Sequence, residues 1–139
     1  NTVSGKTIAF LGWAFKKDTN DTRESAAIYV ADMLIEEQAT IKVFDPKVTE
    51  RQMLGDLDYL NTRSQKENVT YLQTNEDPYK ALESAHAVAV LTEWDEFKSY
   101  NWEAIYDAMQ KPAFVFDGRN IIDKQKLEAI GFVYSAIGS

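Results

Sequence analysis

Six short, largely continuous apolar runs set the strongest limit on what this chain can fold into. They fall at residues 7–11 (Thr7-Ile8-Ala9-Phe10-Leu11), 41–44, 69–72, 87–91 (Ala87-Val88-Ala89-Val90-Leu91), 113–116 and 132–134. A strand with one wet face alternates apolar and polar residues, whereas a continuous run needs cover on both faces. Consecutive strands of a parallel sheet get that cover from crossover helices. Helical patterns lie between the runs, around 23–38, 49–60, 77–85, 100–110 and 124–130. The alternation predicts an α/β fold: a three-layer, Rossmann-like, doubly wound and mainly parallel sheet. With 139 residues and 45% hydrophobic content, the chain makes one such domain, residues 1–139, and buries about two thirds of its unfolded surface. The stretch Asn61-Thr62-Arg63-Ser64-Gln65-Lys66-Glu67-Asn68 is polar and patternless, which predicts a mobile loop.

Charge narrows the partners. A net charge of −7 and a pI near 4.7 argue against nucleic acid and anionic membrane, so any anionic ligand must be held by a local basic cluster. The absence of cysteine removes disulfides, thiolate metal sites and thiol catalysis. No stretch approaches the roughly 18 apolar residues of a membrane span, and no signal peptide is visible. The chain opens on Asn1-Thr2-Val3-Ser4-Gly5-Lys6 without a Met, and reads as a piece of something longer.

The local basic cluster is easiest to find after the first apolar run, where Leu11-Gly12-Trp13-Ala14-Phe15-Lys16-Lys17 leads through Asp18-Thr19-Asn20-Asp21 to Thr22-Arg23-Glu24-Ser25. In the helix that follows, Ala26, Val30, Met33 and Leu34 repeat at helical spacing and predict the buried face. Asp21 with Glu24 three residues on reads as a capping box, placing the helix start near Thr22. The connection is about ten residues long, against the roughly 2–6 usual between strand and helix. A loop carrying Lys16, Lys17 and Arg23 to the positive pole of a helix suits an anion. The plain alternative is solvated surface. Against it, cations near a helix N-terminus oppose the macrodipole by about 0.3–1 kcal/mol each, so stability does not explain them. Trp13 and Phe15 among the charges predict a surface that meets a flat or apolar ligand part.

Ligands of open parallel sheets sit outside the carboxyl ends of the strands. There the second run is followed by Asp45-Pro46-Lys47, the run at 87–91 by Thr92-Glu93-Trp94-Asp95, and the run at 113–116 by Asp117-Gly118-Arg119-Asn120. Arg119 in a tight turn is a second basic element on the same edge, which favours one phosphate-bearing ligand shared by the two loops. Gly12 is the only glycine of the first turn, so the Gly-x-Gly-x-x-Gly cradle for a pyrophosphate is absent, and Asp45 lies 33 residues past Gly12 rather than about 20. An autonomous NAD site is not expected. Glu93 and Asp95 could chelate a metal, but two carboxylates beside Trp94 more often cap the next helix. His86, the only histidine, has no evident acid or nucleophile beside it, and the sequons at Asn20 and Asn68 are read as chance.

Phe15-Lys16-Lys17-Asp18-Thr19, Asp21-Thr22-Arg23-Glu24-Ser25, Thr92-Glu93-Trp94 and Phe116-Asp117-Gly118-Arg119-Asn120 together carry a resemblance. Nearly the whole chain resembles the C-terminal, UDP-binding domain of the UDP-glucose 6-dehydrogenases. Lys17, where bacterial members usually have proline, favours the eukaryotic form. The resemblance implies an N-terminal NAD-binding domain, a central helix that dimerises the chain into a homo-oligomer, and a cytoplasmic enzyme. That enzyme oxidises UDP-glucose to UDP-glucuronate in two hydride transfers with two NAD+, holding the aldehyde on a cysteine. It further implies that Phe15, Lys16 and Arg119 contact the UDP-sugar and that Arg23 reaches the NAD bound mainly by the other domain. The nucleophilic cysteine and the glycine fingerprint belong upstream, so these 139 residues alone are expected to be inactive, with no catalytic residue and no metal site. The residues by themselves leave open a UDP-N-acetyl-mannosamine or GDP-mannose dehydrogenase, or a non-catalytic nucleotide-binding module.

Overall fold

A computed structural model describes residues 3–136. Six strands form one sheet in the order β3-β2-β1-β4-β5-β6: β1 Thr7–Leu11, β2 Thr40–Phe44, β3 Leu72–Thr74, β4 Ala87–Val90, β5 Phe114–Asp117 and β6 Val133–Ala136. Every adjacent pair is parallel. The helices are α1 Ala26–Glu36, α2 Glu50–Leu60, α3 Gln65–Tyr71, α4 Pro78–Leu82, α5 Trp102–Ala108 and α6 Lys124–Ile130, with a 3-10 turn over Asp95–Ser99. The chain order reverses between β1 and β4, the switch point at which doubly wound sheets open a crevice for ligands. No helix among the described residues is long and apolar enough to cross a membrane.

Two apolar layers sandwich the sheet. On one face Ile28, Ala31 and Ile35 of α1 and Met53 and Leu57 of α2 cover Ile8, Phe10, Ile41 and Val43. On the other, Leu82, Phe97, Trp102, Ile105 and Leu127 cover Ala9, Leu11, Val88, Val90 and Val115. The two-sided cover expected of every strand holds for β1 but stops at β5 and β6. Register pairs Ala87 with Phe114 and Phe114 with Val133, so these share the face that α1 covers farther along the sheet. Phe114, Phe116 and Val133 nevertheless remain 45%, 44% and 48% exposed, because no described element lies over them.

Several local expectations need correction. Helix α1 starts at Ala26, not near Thr22: Ser25 is the N-cap, its Oγ accepting from Ala27 N (3.2 Å) and donating to Trp13 O (2.7 Å). Glu24 cannot complete a capping box because it is left-handed (φ 62°), and Asp21 turns its carboxylate to Arg23 instead. The buried face of α1 is Ala27, Ile28, Ala31 and Ile35, leaving Met33 61% exposed. The segment is apolar on two faces, and the small side chains of Ala27 and Ala31 allow the closer approach to the sheet.

The expected mobile loop 61–68 is largely ordered structure. Ser64 and Glu67 form a true capping box, and α3 runs through Tyr71, so the run at 69–72 enters the sheet only at Leu72. Arg63 anchors this segment to α1. Its side chain is almost fully buried, with ion pairs to Asp32 (2.9 Å) and Glu36 (3.0 Å) and donated bonds to Asp32 O (2.8 Å) and Asn68 Oδ1 (2.8 Å). Asn68 is fully buried in these contacts, which excludes a glycan there.

Candidate functional site at the carboxyl edge of the sheet

The first connection, residues 12–25, crosses the switch point, and its backbone is pinned from two directions. Gly12 has φ 102°, and a Cβ there would collide with Thr92 Oγ1 and stand 2.8 Å from Thr92 N, so only glycine lets the β1 and β4 exits meet. Thr92 Oγ1 donates to Ala14 O at 2.8 Å. From the other side, Asp45 at the end of β2 takes the amides of Trp13 (2.7 Å) and Ala14 (3.0 Å) on Oδ2, and those of Lys47 (2.8 Å) and Val48 (3.2 Å) on Oδ1.

That carboxylate supplies a physical reason for the missing dinucleotide fingerprint. Backbone amides just after β1 are the groups that meet the pyrophosphate in a dinucleotide fold. Here they are occupied by the chain's own anion. The residues present therefore do not fit an NAD pyrophosphate at this turn.

Trp13 is not the ligand-facing residue expected. It is fully buried, 6.3 Å from the Phe10 ring, and its Nε1 donates to Asp56 Oδ2 at 3.0 Å. Phe15 does face outward, 46% exposed, next to exposed Lys16 and Lys17. Lys16 makes no ion pair or hydrogen bond with any described residue, whereas Lys17, Arg23 and Arg119 each have an acid. Lys17 pairs with Asp95 (3.4 Å). Arg23 lies bidentate on Asp21, Nε to Oδ1 at 3.0 Å and Nη2 to Oδ2 at 2.8 Å. Those bonds from Arg23, more than any other cause, pull the exposed Asp21 carboxyl down to about 2, and Lys16 adds a smaller push in the same direction.

Arg119 comes from a turn built on Asp117, the last residue of β5 and fully buried. Asp117 Oδ2 accepts from the amides of Ile121 (2.8 Å) and Ile122 (2.6 Å) and from the Tyr134 hydroxyl (2.9 Å), and Oδ1 accepts from Arg119 N (3.2 Å). Desolvation, reinforced by this carboxylate, drives the Tyr134 phenol well above the usual tyrosine range. Gly118 N donates to Val90 O (2.9 Å), fastening the turn to the end of β4. The Arg119 guanidinium meets Glu93 at 3.1 Å.

Glu93 and Asp95 therefore do not cap the next helical turn as expected; Trp94 occupies the N-cap position without a side-chain bond. Both acids serve as counter-ions, Asp95 to Lys17 and Lys98 and Glu93 to Arg119. Among the described residues no group of three or more His, Asp or Glu is placed to hold a metal. His86 is structural, its Nδ1 accepting from Thr7 N at 3.1 Å. Lys47 instead lines a separate cavity of about 670 Å³ between the β2 and β3 exits, with Phe44, Thr49, Thr74 and Glu76. Phe15, Lys16, Arg23 and Arg119 line none of it, and stand on an open edge instead.

The chain is similar to known proteins in both fold and sequence. Solved structures that superpose on the chain include the UDP-D-ManNAc dehydrogenase of Pyrococcus horikoshii, with a TM-score of 0.69 and 30% identity over 96% of this chain and 25% of that one. The NDP-N-acetyl-D-galactosaminuronic acid dehydrogenase of Methanosarcina mazei superposes with a TM-score of 0.77 and 25% identity over 99% of this chain and 26% of that one. In sequence, the chain is 48% identical to the UDP-glucose 6-dehydrogenase of Drosophila melanogaster, across 99% of its own length and 29% of that protein. It is 49% identical to UDP-glucose 6-dehydrogenase 4 of Arabidopsis thaliana, across 99% of its length and 31% of that protein. It thus spans under a third of the curated relatives it matches. Residues 9–124 match the profile of the UDP-glucose/GDP-mannose dehydrogenase family, UDP binding domain, and with the all-parallel sheet this assigns the chain to that family.

Proposed function

We propose that the chain is the UDP-sugar-binding half of an NAD-dependent UDP-glucose 6-dehydrogenase. The observation that carries this is the meeting of two cation-bearing loops at one switch point, Lys16 from the β1 exit and Arg119 from the β5 exit, both fastened to the β4 exit. Lys16 and Arg119 would hold the diphosphate, and Phe15 the flat or apolar part of the UDP-sugar. A diphosphate is what such an edge suits: an Arg presents paired donors to phosphate oxygens, and a Lys adds a point charge. The names of the relatives favour UDP-glucose among the nucleotide sugars.

In this reading residues 1–139 are the UDP domain, and an NAD-binding domain and a dimerisation segment lie elsewhere in a cytoplasmic homo-oligomer. NAD would sit mainly on that other domain, with Arg23 reaching toward it, since the amides of Trp13 and Ala14 are already taken by Asp45. The net reaction is oxidation of UDP-glucose to UDP-glucuronate with two NAD+. The chain by itself would neither form NADH from UDP-glucose nor bind NAD+ tightly.

The test is made in the full-length enzyme. Lys16→Ala and Arg119→Ala should each weaken UDP-glucose binding roughly tenfold to a hundredfold, from the about 1.5–3 kcal/mol of one charge-assisted contact. Arg23→Ala should act on NAD+ instead, and Lys47→Ala, on the separate cavity, should change little. UDP-glucose affinity unchanged in both Lys16→Ala and Arg119→Ala means that the anion site lies elsewhere.

A further inference from the structure

We infer that Glu93 is a positioning residue, the group that aims the Arg119 guanidinium at the nucleotide diphosphate; this rests on the reading of Arg119 as a UDP ligand. Glu93 Oε1 lies 3.1 Å from Arg119 Nη2, with side chains 27% and 37% exposed. That oxygen is itself shut off from solvent and has no hydrogen-bond partner among the described residues, so the ion pair is its one compensation. Shielding a carboxylate oxygen behind a single partner is unfavourable, and a half-exposed ion pair returns only about 0–1 kcal/mol. Fold stability therefore does not account for Glu93. An acid beside a diphosphate site also repels the ligand, so its presence there calls for an offsetting role.

Geometry supplies that role. The segment Thr92-Glu93-Trp94-Asp95 touches both cation loops: Thr92 bonds Ala14 O, Asp95 pairs with Lys17, and Glu93 pairs with Arg119. The backbone of the Arg119 turn is already fixed by Asp117 and by the bond from Gly118 to Val90, but neither restrains the long side chain beyond Cα. Glu93 engages one end of the guanidinium, leaving other N–H donors of its planar fork for an oxyanion. Holding the fork in place before binding removes part of the ordering cost that ligand binding must otherwise meet.

The experiment compares Glu93→Ala, Glu93→Gln, Arg119→Ala and the double variant Glu93→Ala/Arg119→Ala in the full-length enzyme, by UDP titration calorimetry and steady-state kinetics. Glu93→Ala should raise the UDP Kd and the UDP-glucose KM roughly threefold to tenfold, with kcat, the NAD+ KM and the thermal midpoint nearly unchanged. Glu93→Gln, which keeps an oxygen at the same place, should recover to within about twofold of the parent. The double variant should bind no worse than Arg119→Ala alone, because Glu93 acts only through Arg119. Arg119→Ala weakened with Glu93→Ala unchanged or tighter overturns the inference and spares the UDP reading. Glu93→Gln as weak as Glu93→Ala, or additive losses in the double variant, overturn it as well. UDP affinity unchanged in Arg119→Ala overturns both.

Discussion

Replacing Asp45 by asparagine should cost the fold more than the same change at Asp117, although Asp117 is the more deeply buried of the two. The reason lies in how donors divide between the two oxygens. At Asp45 each oxygen serves two backbone amides, Trp13 and Ala14 on Oδ2 and Lys47 and Val48 on Oδ1. An asparagine offers one acceptor oxygen, so whichever way it turns, its NH2 faces two donors. At Asp117 three donors crowd onto Oδ2, and only the partly exposed amide of Arg119 uses Oδ1. The asparagine can satisfy the larger group and give up one bond. A bond to a charged acceptor contributes about 1.5–3 kcal/mol, and an orphaned buried donor costs about 1–3. Asp45→Asn should therefore lose about 2–4 kcal/mol and Asp117→Asn about 1–2. Against a total of about 5–15 kcal/mol for a domain, the difference is easily read as a midpoint shift in urea at unchanged slope. On the proposed assignment of Phe15 and Lys16, Asp45→Asn should also weaken UDP-glucose binding in the full-length enzyme, because the Trp13 and Ala14 amides that Asp45 holds lie in the loop that carries them. Asp45→Asn within about 0.5 kcal/mol of the parent, or milder than Asp117→Asn, would refute the donor-division argument.

Arg63→Ala should cost about 2–4 kcal/mol, mostly because it leaves the largely buried Asp32 carboxylate without its cation and Asn68 without a partner rather than through exposed Glu36, and hydrogen exchange should quicken across α3 with UDP binding unaffected. The Asp21 carboxylate should titrate by NMR near about 2, and Arg23→Ala should return it toward 3.8. The sign follows from a folded-state value below the unfolded one: the Asp21–Arg23 contribution is fully present above the ordinary carboxylate range and is lost progressively as pH falls from 3.8 through about 2. Gly12→Ala should destabilise the chain by about 3 kcal/mol or more, judged by thermal melting, because a positive φ and a collision with the Thr92 backbone act together; a melting point equal to the parent's would show that the β1 and β4 exits are farther apart than 2.8 Å implies.

What the sequence determined by itself follows from periodicity and from charge. Five of the six apolar runs, 87–91 among them, became strands of the sheet and 69–72 gave only Leu72 to it, so the parallel sheet and the edge carrying Lys16 and Arg119 were legible from their alternation with helical segments. What only the tertiary structure decided were the contacts made across long separations in the chain. The periodicity of α1 fits two faces, and the sheet alone selected Ala27 and Ala31 over Met33. Trp13 reads as a ligand platform among charges until Phe10 and Asp56 enclose it. Residues 61–68 have no apolar period to announce a helix, because α3 is held by a capping box and by Arg63 on Asp32 and Glu36, some thirty positions earlier in the chain. Glu93 looked like a cap because local spacing cannot reveal a partner in the turn after another strand. A hydrophobic pattern records what each residue does with water, whereas an ion pair or a buried amide depends on which distant group the fold brings to it.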